Sequence, residues 1–164
     1  MADMLVRLYA MPEPAAALAR AAQAGAPVRR AEAFERDAVV AFVRAAFGDG
    51  WVAECEAAFA RQPVTCHVAV RGTAIVGFAC HDVTRRGFFG PAGVASNARS
   101  AGIGAALTLA ALAAMREAGY AYAIVGGVGP ADFYARVAGA TPIAGSTPGI
   151  YDPDSSRKRN HERS

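Results

Sequence analysis

Lysine is nearly missing from this chain. Its one lysine, Lys158, stands against 16 arginines. A phosphate loop of the Gly-Lys-Ser/Thr kind would need a lysine in the body of the chain, where there is none. Charge of either sign is sparse, with 19% of residues charged and a net charge of +3. No basic cluster forms the concentrated face that a nucleic-acid binder needs. Cysteine is scarce, and the three present (Cys55, Cys66, Cys80) are widely spaced and odd in number. That argues against a disulfide scaffold and leads us to expect a reducing, cytoplasmic setting. Together with His67 and His81 they lack metal-ligand spacing, so no metal is expected. A long apolar run is missing too. The longest uncharged one, Ala101 to Met115, is flanked by Arg99 and Arg116 and falls short of the ~20 residues of a membrane span. The start, Met1-Ala-Asp-Met-Leu-Val-Arg, lacks the charged-then-apolar layout of a signal peptide.

What is abundant is alanine, 41 of 164 residues, within a composition that is 54% apolar. That length and apolar content suit one domain with a sizeable core. A short strand near residues 4–10 and an alanine-rich helix from Glu13 to Ala24 precede the punctuation Gly25-Ala26-Pro27. We expect residues 1–25 to be a strand–helix extension packed on the domain, 26–151 to be the domain, and 152–164 to be a disordered polar tail. After a strand at Val28, the residues Val39, Val43 and Phe47 recur at helical spacing until Gly48-Asp49-Gly50. A second helix runs from Trp51 to Arg61. Three strands follow as a meander over 65–71, 73–83 and 87–94, turning at Arg71-Gly72 and Arg85-Arg86. Then come a helix over 100–118 stopped by Gly119, a strand over 120–126, a helix opened by Pro130, and a strand region between Thr141 and Tyr151.

The stretch that carries chemistry is Arg99-Ser100-Ala101-Gly102-Ile103-Gly104, between a strand and the long helix. A helix start gathers free N–H groups and the positive end of the dipole, and so suits phosphate. Glycines without Cβ let diphosphate oxygens approach the backbone. By itself Gly-x-Gly is equally a plain turn. The dinucleotide fingerprint Gly-x-Gly-x-x-Gly fails at Leu107.

The run Arg-x-x-Gly-x-Gly, after a strand leaving at Val94, resembles the acetyl-CoA signature of the GNAT family of N-acetyltransferases. The order of elements from about Val28 to Tyr151 is similar to that family's as well. The resemblance implies an α/β fold: a mixed, mostly antiparallel central sheet flanked by helices, splayed at the acetyl-CoA site. It implies that backbone N–H groups of Arg99, Ser100, Ala101, Gly102, Ile103, Gly104 and Ala105 hold the CoA pyrophosphate. The N–H of Ala92 would polarise the acetyl carbonyl, Val94 would pair with pantetheine, and Tyr134 would protonate the departing thiolate. Gly90-Pro91-Ala92-Gly93 supports the splay independently, since proline in a central strand demands a bulge or broken pairing.

The sequence also departs from the family. Phe88 fills the slot where some members carry a base, Val128-Gly129-Pro130 stands where an Asn is common, and Tyr134 and Gly139 lie five apart. The base is therefore sought elsewhere, among Glu54, Glu56, His81 and Asp82. Glu54 is preferred because Trp51 lies one turn earlier on the same helical face. Cys55 and Cys80 read as core residues. The expected function is direct acetyl transfer from acetyl-CoA to a primary amine in a ternary complex. The expected partner is a small-molecule amine, with no nucleic acid and no membrane, and a homodimer is left open. A non-catalytic acyl-CoA-binding or regulatory module and a doubly wound nucleotide-binding domain are the alternatives.

Overall fold

The computed structural model describes residues 1–152, so the expected tail lies outside them apart from Asp152. The strands are β1 (Met4–Arg7), β2 (Val28–Arg30), β3 (Cys66–Arg71), β4 (Ala74–His81), β5 (Phe88–Val94), β6 (Tyr122–Val125) and β7 (Thr141–Pro142). The helices are α1 (Ala15–Gln23), α2 (Arg36–Phe47), α3 (Val52–Phe59), α4 (Ile103–Glu117) and α5 (Ala131–Ala138). The seven strands form one mixed sheet in the order β2-β3-β4-β5-β6-β1-β7. Every pairing is antiparallel except that of β5 with β6.

The period of two in β3 and β4 gives the sheet two apolar faces, and a bulge at Val76, where the β3–β4 register shifts between Ala69 and Val70, breaks the alternation there. On one face Cys66, Val68, Phe78 and Cys80 pack with Val39, Val40 and Val43 of α2 and Cys55 and Ala58 of α3. On the other, Ala69, Val76 and Ala79 pack beneath Ile103, Leu107 and Ala111 of α4. α4 is apolar nearly all round because the sheet, α1 and α5 all pack against it. Gly77 is what lets α4 lie so close to β4: a Cβ there would sit 2.7 Å from Leu107 Cδ1. α4 ends as expected at Gly119, which has φ +103°, while Tyr120 N–H donates back to the Met115 carbonyl.

Three expectations are corrected. The first strand is shorter than expected and is built into the sheet, paired with β6 through Met4–Val125 to Arg7–Tyr122 and with β7 through Met4 and Leu5, while α1 packs on α4. Buried Val6 and Leu8 join the main core, and the strand stops at Arg7 because Leu8–Ala10 coil into a 3-10 turn. The long helix begins at Ile103 rather than at residue 100, since Ser96–Ala98 form their own 3-10 turn and Gly102 takes a left-handed conformation. The last strand keeps only Thr141 and Pro142, and Gly149–Tyr151 form a 3-10 turn.

The parallel pairing of β5 and β6 is short. It joins Phe88 to Ile124 and Phe89 to Val125, and there β6 ends. β5 continues to Val94 beside β4 alone, with a bulge that sets Gly90 and Pro91 opposite Cys80. Gly90 has φ +114°, a conformation that glycine adopts without strain. The sheet therefore opens between β5 and the chain that follows β6.

Candidate active site

The opening between the strands leads to the start of α4. No side chain caps this helix, and Ala106 N–H already donates to the Gly102 carbonyl. The N–H groups of Ile103, Gly104 and Ala105 face the unbonded end where the dipole is positive. Both flanking residues with left-handed backbone, Ser100 (φ +69°) and Gly102 (φ +77°), sit in the approach to this end. A Cβ on Gly104 would point between Phe133 Cζ, at 3.5 Å, and Val94 Cγ2, at 3.7 Å. Gly104 thus keeps the floor between β5 and α5 open.

Around this floor lies a cleft of about 970 Å³. Ala92, Val94, Arg99, Ser100, Gly102, Ile103, Gly104 and Ala105 all line it, while Ala101 turns against the core. Three arginines from different elements converge on it: Arg20 of α1, Arg99, and Arg136 of α5. Among the described residues none of the three forms an ion pair. Arg20 lies over the helix start, its Nη2 being 3.7 Å from where a Gly102 Cβ would stand. The acid in the lining, Glu13, is engaged by Arg116 through two hydrogen bonds of 2.9 and 3.0 Å. A cleft with free N–H groups, unpaired guanidiniums and a floor cleared of Cβ atoms fits a polyanionic ligand with an apolar arm.

The open edge of β5 supplies backbone groups to the same cleft. Ala95 N–H donates toward β4, to the Val76 carbonyl at 2.8 Å. By strand alternation the N–H groups of Val94 and Ala92 point the other way, into the opening. Arg99 Nε reaches the Val94 carbonyl at 3.3 Å.

A second cleft, of about 660 Å³, lies across the opening. Trp51, Glu54, Thr84, Phe89 and Tyr151 are among its walls. Glu54 is half-buried and accepts a hydrogen bond from Thr84 Oγ1 at 2.5 Å. Trp51 leans on Phe47 and Phe78 at ring separations of 5.3 and 6.1 Å. The two clefts share Ala92, Pro130 and Tyr134. Burial raises the phenol pKa of Tyr134, so its proton stays in place at neutral pH.

The structure thus brings Glu54 and Trp51 together and sets Tyr134 and Ala92 at the junction. It puts the other base candidates elsewhere. Glu56 pairs with Arg36 at 3.1 Å. His81 and Asp82 line neither cleft: Asp82 accepts from Gly87 N–H at 2.7 Å and closes the β4–β5 turn, and His81 is buried beside it. Cys66 and Cys80 lie opposite each other across β3 and β4, and hydrogen bonding to Cys55 and burial hold both as thiols. Among the described residues no three His, Cys, Asp or Glu side chains come together as a metal site. Arg20, Arg136 and Tyr151 were not anticipated. Arg20 and Tyr151 belong to the terminal segments, whose docking depends on long-range contacts that no local pattern announces.

No curated protein matches this chain. Solved structures do. A glucosamine N-acetyltransferase region of a fungal multi-domain GH3 β-N-acetylglucosaminidase superposes with a TM-score of 0.72 at 17% identity, over 87% of this chain and 19% of that one. A Drosophila protein gives 0.57 at 13% identity, over 87% of this chain and 47% of that one. A conserved Staphylococcus epidermidis protein of unknown function gives 0.53 at 15%, over 87% and 57%. The chain therefore spans less than two thirds of the length of each, and at these identities the likeness establishes the fold. The sequence pattern of the acetyltransferase (GNAT) family matches residues 31–139, most of the chain. By that match the protein belongs to the GNAT acetyltransferase family, which implies use of acetyl-CoA.

Proposed function

We propose that the protein is an N-acetyltransferase that moves the acetyl group of acetyl-CoA directly to a small primary amine within a ternary complex. The observation that carries this reading is the meeting of two clefts of different character at Ala92 and Tyr134. When bound, acetyl-CoA supplies the acetyl thioester. The N–H groups at the start of α4, with Arg20, Arg99 and Arg136, hold its phosphates. The open edge of β5 pairs with the amide arm, and Val94 and Phe133 pack along it. The N–H of Ala92 stabilises the charge that develops on the carbonyl oxygen during attack. The hydroxyl of Tyr134 donates to the sulfur as it leaves.

An alkylammonium is neutral at pH 7 only to a few parts in ten thousand, a deficit of about 4–5 kcal/mol. Glu54 relieves it by accepting the proton through water, in the second cleft where the amine arrives. A non-catalytic acyl-CoA-binding module is the second reading, motivated by Phe88 in place of a base on β5.

Two measurements test the proposal. Free CoA thiol should appear when the protein, acetyl-CoA and a panel of primary amines are combined. No release with any amine, although acetyl-CoA binds, would favour the non-catalytic reading. Gly104→Val should cost acetyl-CoA affinity by about 100-fold while the fold survives, because the branched side chain fills the floor between Val94 and Phe133. Unchanged affinity by calorimetry in a well-folded variant would remove the start of α4 from the cofactor site.

A further inference from the structure

The two clefts differ in charge as well as position. All three unpaired arginines line the first, and the second holds no basic side chain. Among the described residues that line the second cleft, Glu54 carries the one charged side chain. A second carboxylate stands behind its wall: Asp3 is 8% exposed and accepts a hydrogen bond from Gly127 N–H at 2.9 Å. Met1 also lines this cleft and brings the α-amino group of the chain, so the two carboxylates stand against one cationic group and leave an excess of negative charge. Its other walls are mainly apolar, from Trp51, Tyr151, Phe89, Val125 and Pro148, with the hydroxyls of Thr84 and Thr147 among them. Trp51 is 37% exposed and Tyr151 53% exposed, so both rings present faces to an incoming molecule. Burial and the carboxylates of Glu54 and Asp3 raise the phenol pKa of Tyr151, which stays neutral.

Such a cleft welcomes a cation on an apolar frame. Aromatic faces attract an ammonium through the ring quadrupole and take up hydrocarbon beside it. A carboxylate or phosphate on the same molecule would meet Glu54, with the α-amino group of Met1 as the one cationic group in the lining to offset it. A polyhydroxylated frame would set most of its hydroxyls against Trp51, Tyr151, Phe89 and Val125 rather than against Thr84 and Thr147.

Resting on the transferase reading above, we infer that the acceptor is an arylalkyl or alkyl monoamine that bears no acidic group, with its ammonium directed to Glu54 and its hydrocarbon held between Trp51 and Tyr151. The carboxylate that draws the ammonium in is then also the group that takes its proton through water. An amino acid, bearing a carboxylate next to its amine, is discriminated against by charge. An amino sugar is discriminated against by the walls.

Three amines separate these classes: phenethylamine, phenylalanine and glucosamine. Equilibrium binding of each to the protein, with and without CoA, reads selectivity without relying on turnover. Phenethylamine should bind at least about tenfold more tightly than phenylalanine, whose added carboxylate faces Glu54, and more tightly than glucosamine. Glu54→Gln should narrow the gap between phenethylamine and phenylalanine. Tyr151→Ala should weaken phenethylamine several-fold; since that ring is half exposed, the variant serves even if Trp51→Ala disturbs the packing on Phe47 and Phe78. Equal or tighter binding of phenylalanine or glucosamine would overturn the inference. Selective binding of phenethylamine without acetyl transfer would uphold it and overturn the transferase reading. Transfer to all three amines with no preference would do the opposite.

Discussion

Tyr134 is held in place by its ring, which meets Phe89 edge-on at 5.8 Å and Phe133 at 5.1 Å. Those contacts belong to the carbons, so Tyr134→Phe keeps them and removes only the hydroxyl. Proton donation from a phenol near ~10 to a thiolate near ~8.5 is uphill by about 2 kcal/mol, and burial of Tyr134 adds to that cost. The hydroxyl therefore serves best as a hydrogen-bond donor to sulfur while charge builds, with complete transfer following bond cleavage. Turnover in Tyr134→Phe should fall by about 10²–10⁴ with acetyl-CoA affinity unchanged. Turnover within a few-fold of wild type would assign the donor role to another group. Glu54 differs from Tyr134 in being fixed by a hydrogen bond, from Thr84. That bond aims one carboxylate oxygen and leaves the rest of the group to face the cleft.

At the scale of elements, α1 is tied to α4 at one end by Glu13 and Arg116 and brings Arg20 over the other helix's start. A guanidinium beside the positive end of a helix gains nothing until an anion arrives. Arg20→Ala should therefore leave the melting temperature of the free protein unchanged while weakening acetyl-CoA about five- to tenfold, an effect that shrinks as salt rises. Equal affinity at low salt would mean Arg20 points to solvent when the cofactor is bound. The meander, α4 and the break at Gly90-Pro91 were legible because each is written locally: alternating apolar residues, a helical apolar run, and a proline where a ladder bond belongs. The Arg99–Gly104 run was legible for the same reason, as consecutive residues at one helix start. β1 was legible as a strand but its place in the sheet was not, because lying between β6 and β7 joins residue 4 to residues 125 and 142 across the whole chain. Arg20 and Tyr151 follow from that same long-range pairing, so the second wall of each cleft was hidden while the first was visible.

At the scale of the molecule, the face of the sheet under α4 contains two histidines that the proposed chemistry does not use. His67 and His81 are 6% and 3% exposed, with ring centres 6.2 Å apart on neighbouring strands. Burial is the main reason the pKa of His67 falls to about 3, with the positive charge of Arg30 and the neighbouring His81 adding to it. Burial lowers His81 as well, against the opposing pull of Asp82. In the unfolded chain both return to about 6.5. Below that pH the unfolded state takes up protons that the folded state refuses, so stability is complete above about 6.5 and declines as the solution is acidified. For His67 the decline is about 1.4 kcal/mol per pH unit and continues toward pH 3, which amounts to about 2 kcal/mol by pH 5. That is a sizeable share of the 5–15 kcal/mol typical of a domain. Urea unfolding followed from pH 7.5 to 5 should show the midpoint moving steadily lower once pH passes below 6.5. His67→Leu, which removes the titrating ring and keeps an apolar group against the sheet, should flatten that slope by its share. A midpoint independent of pH across this range would show that the histidines find a partner for their protons inside the fold.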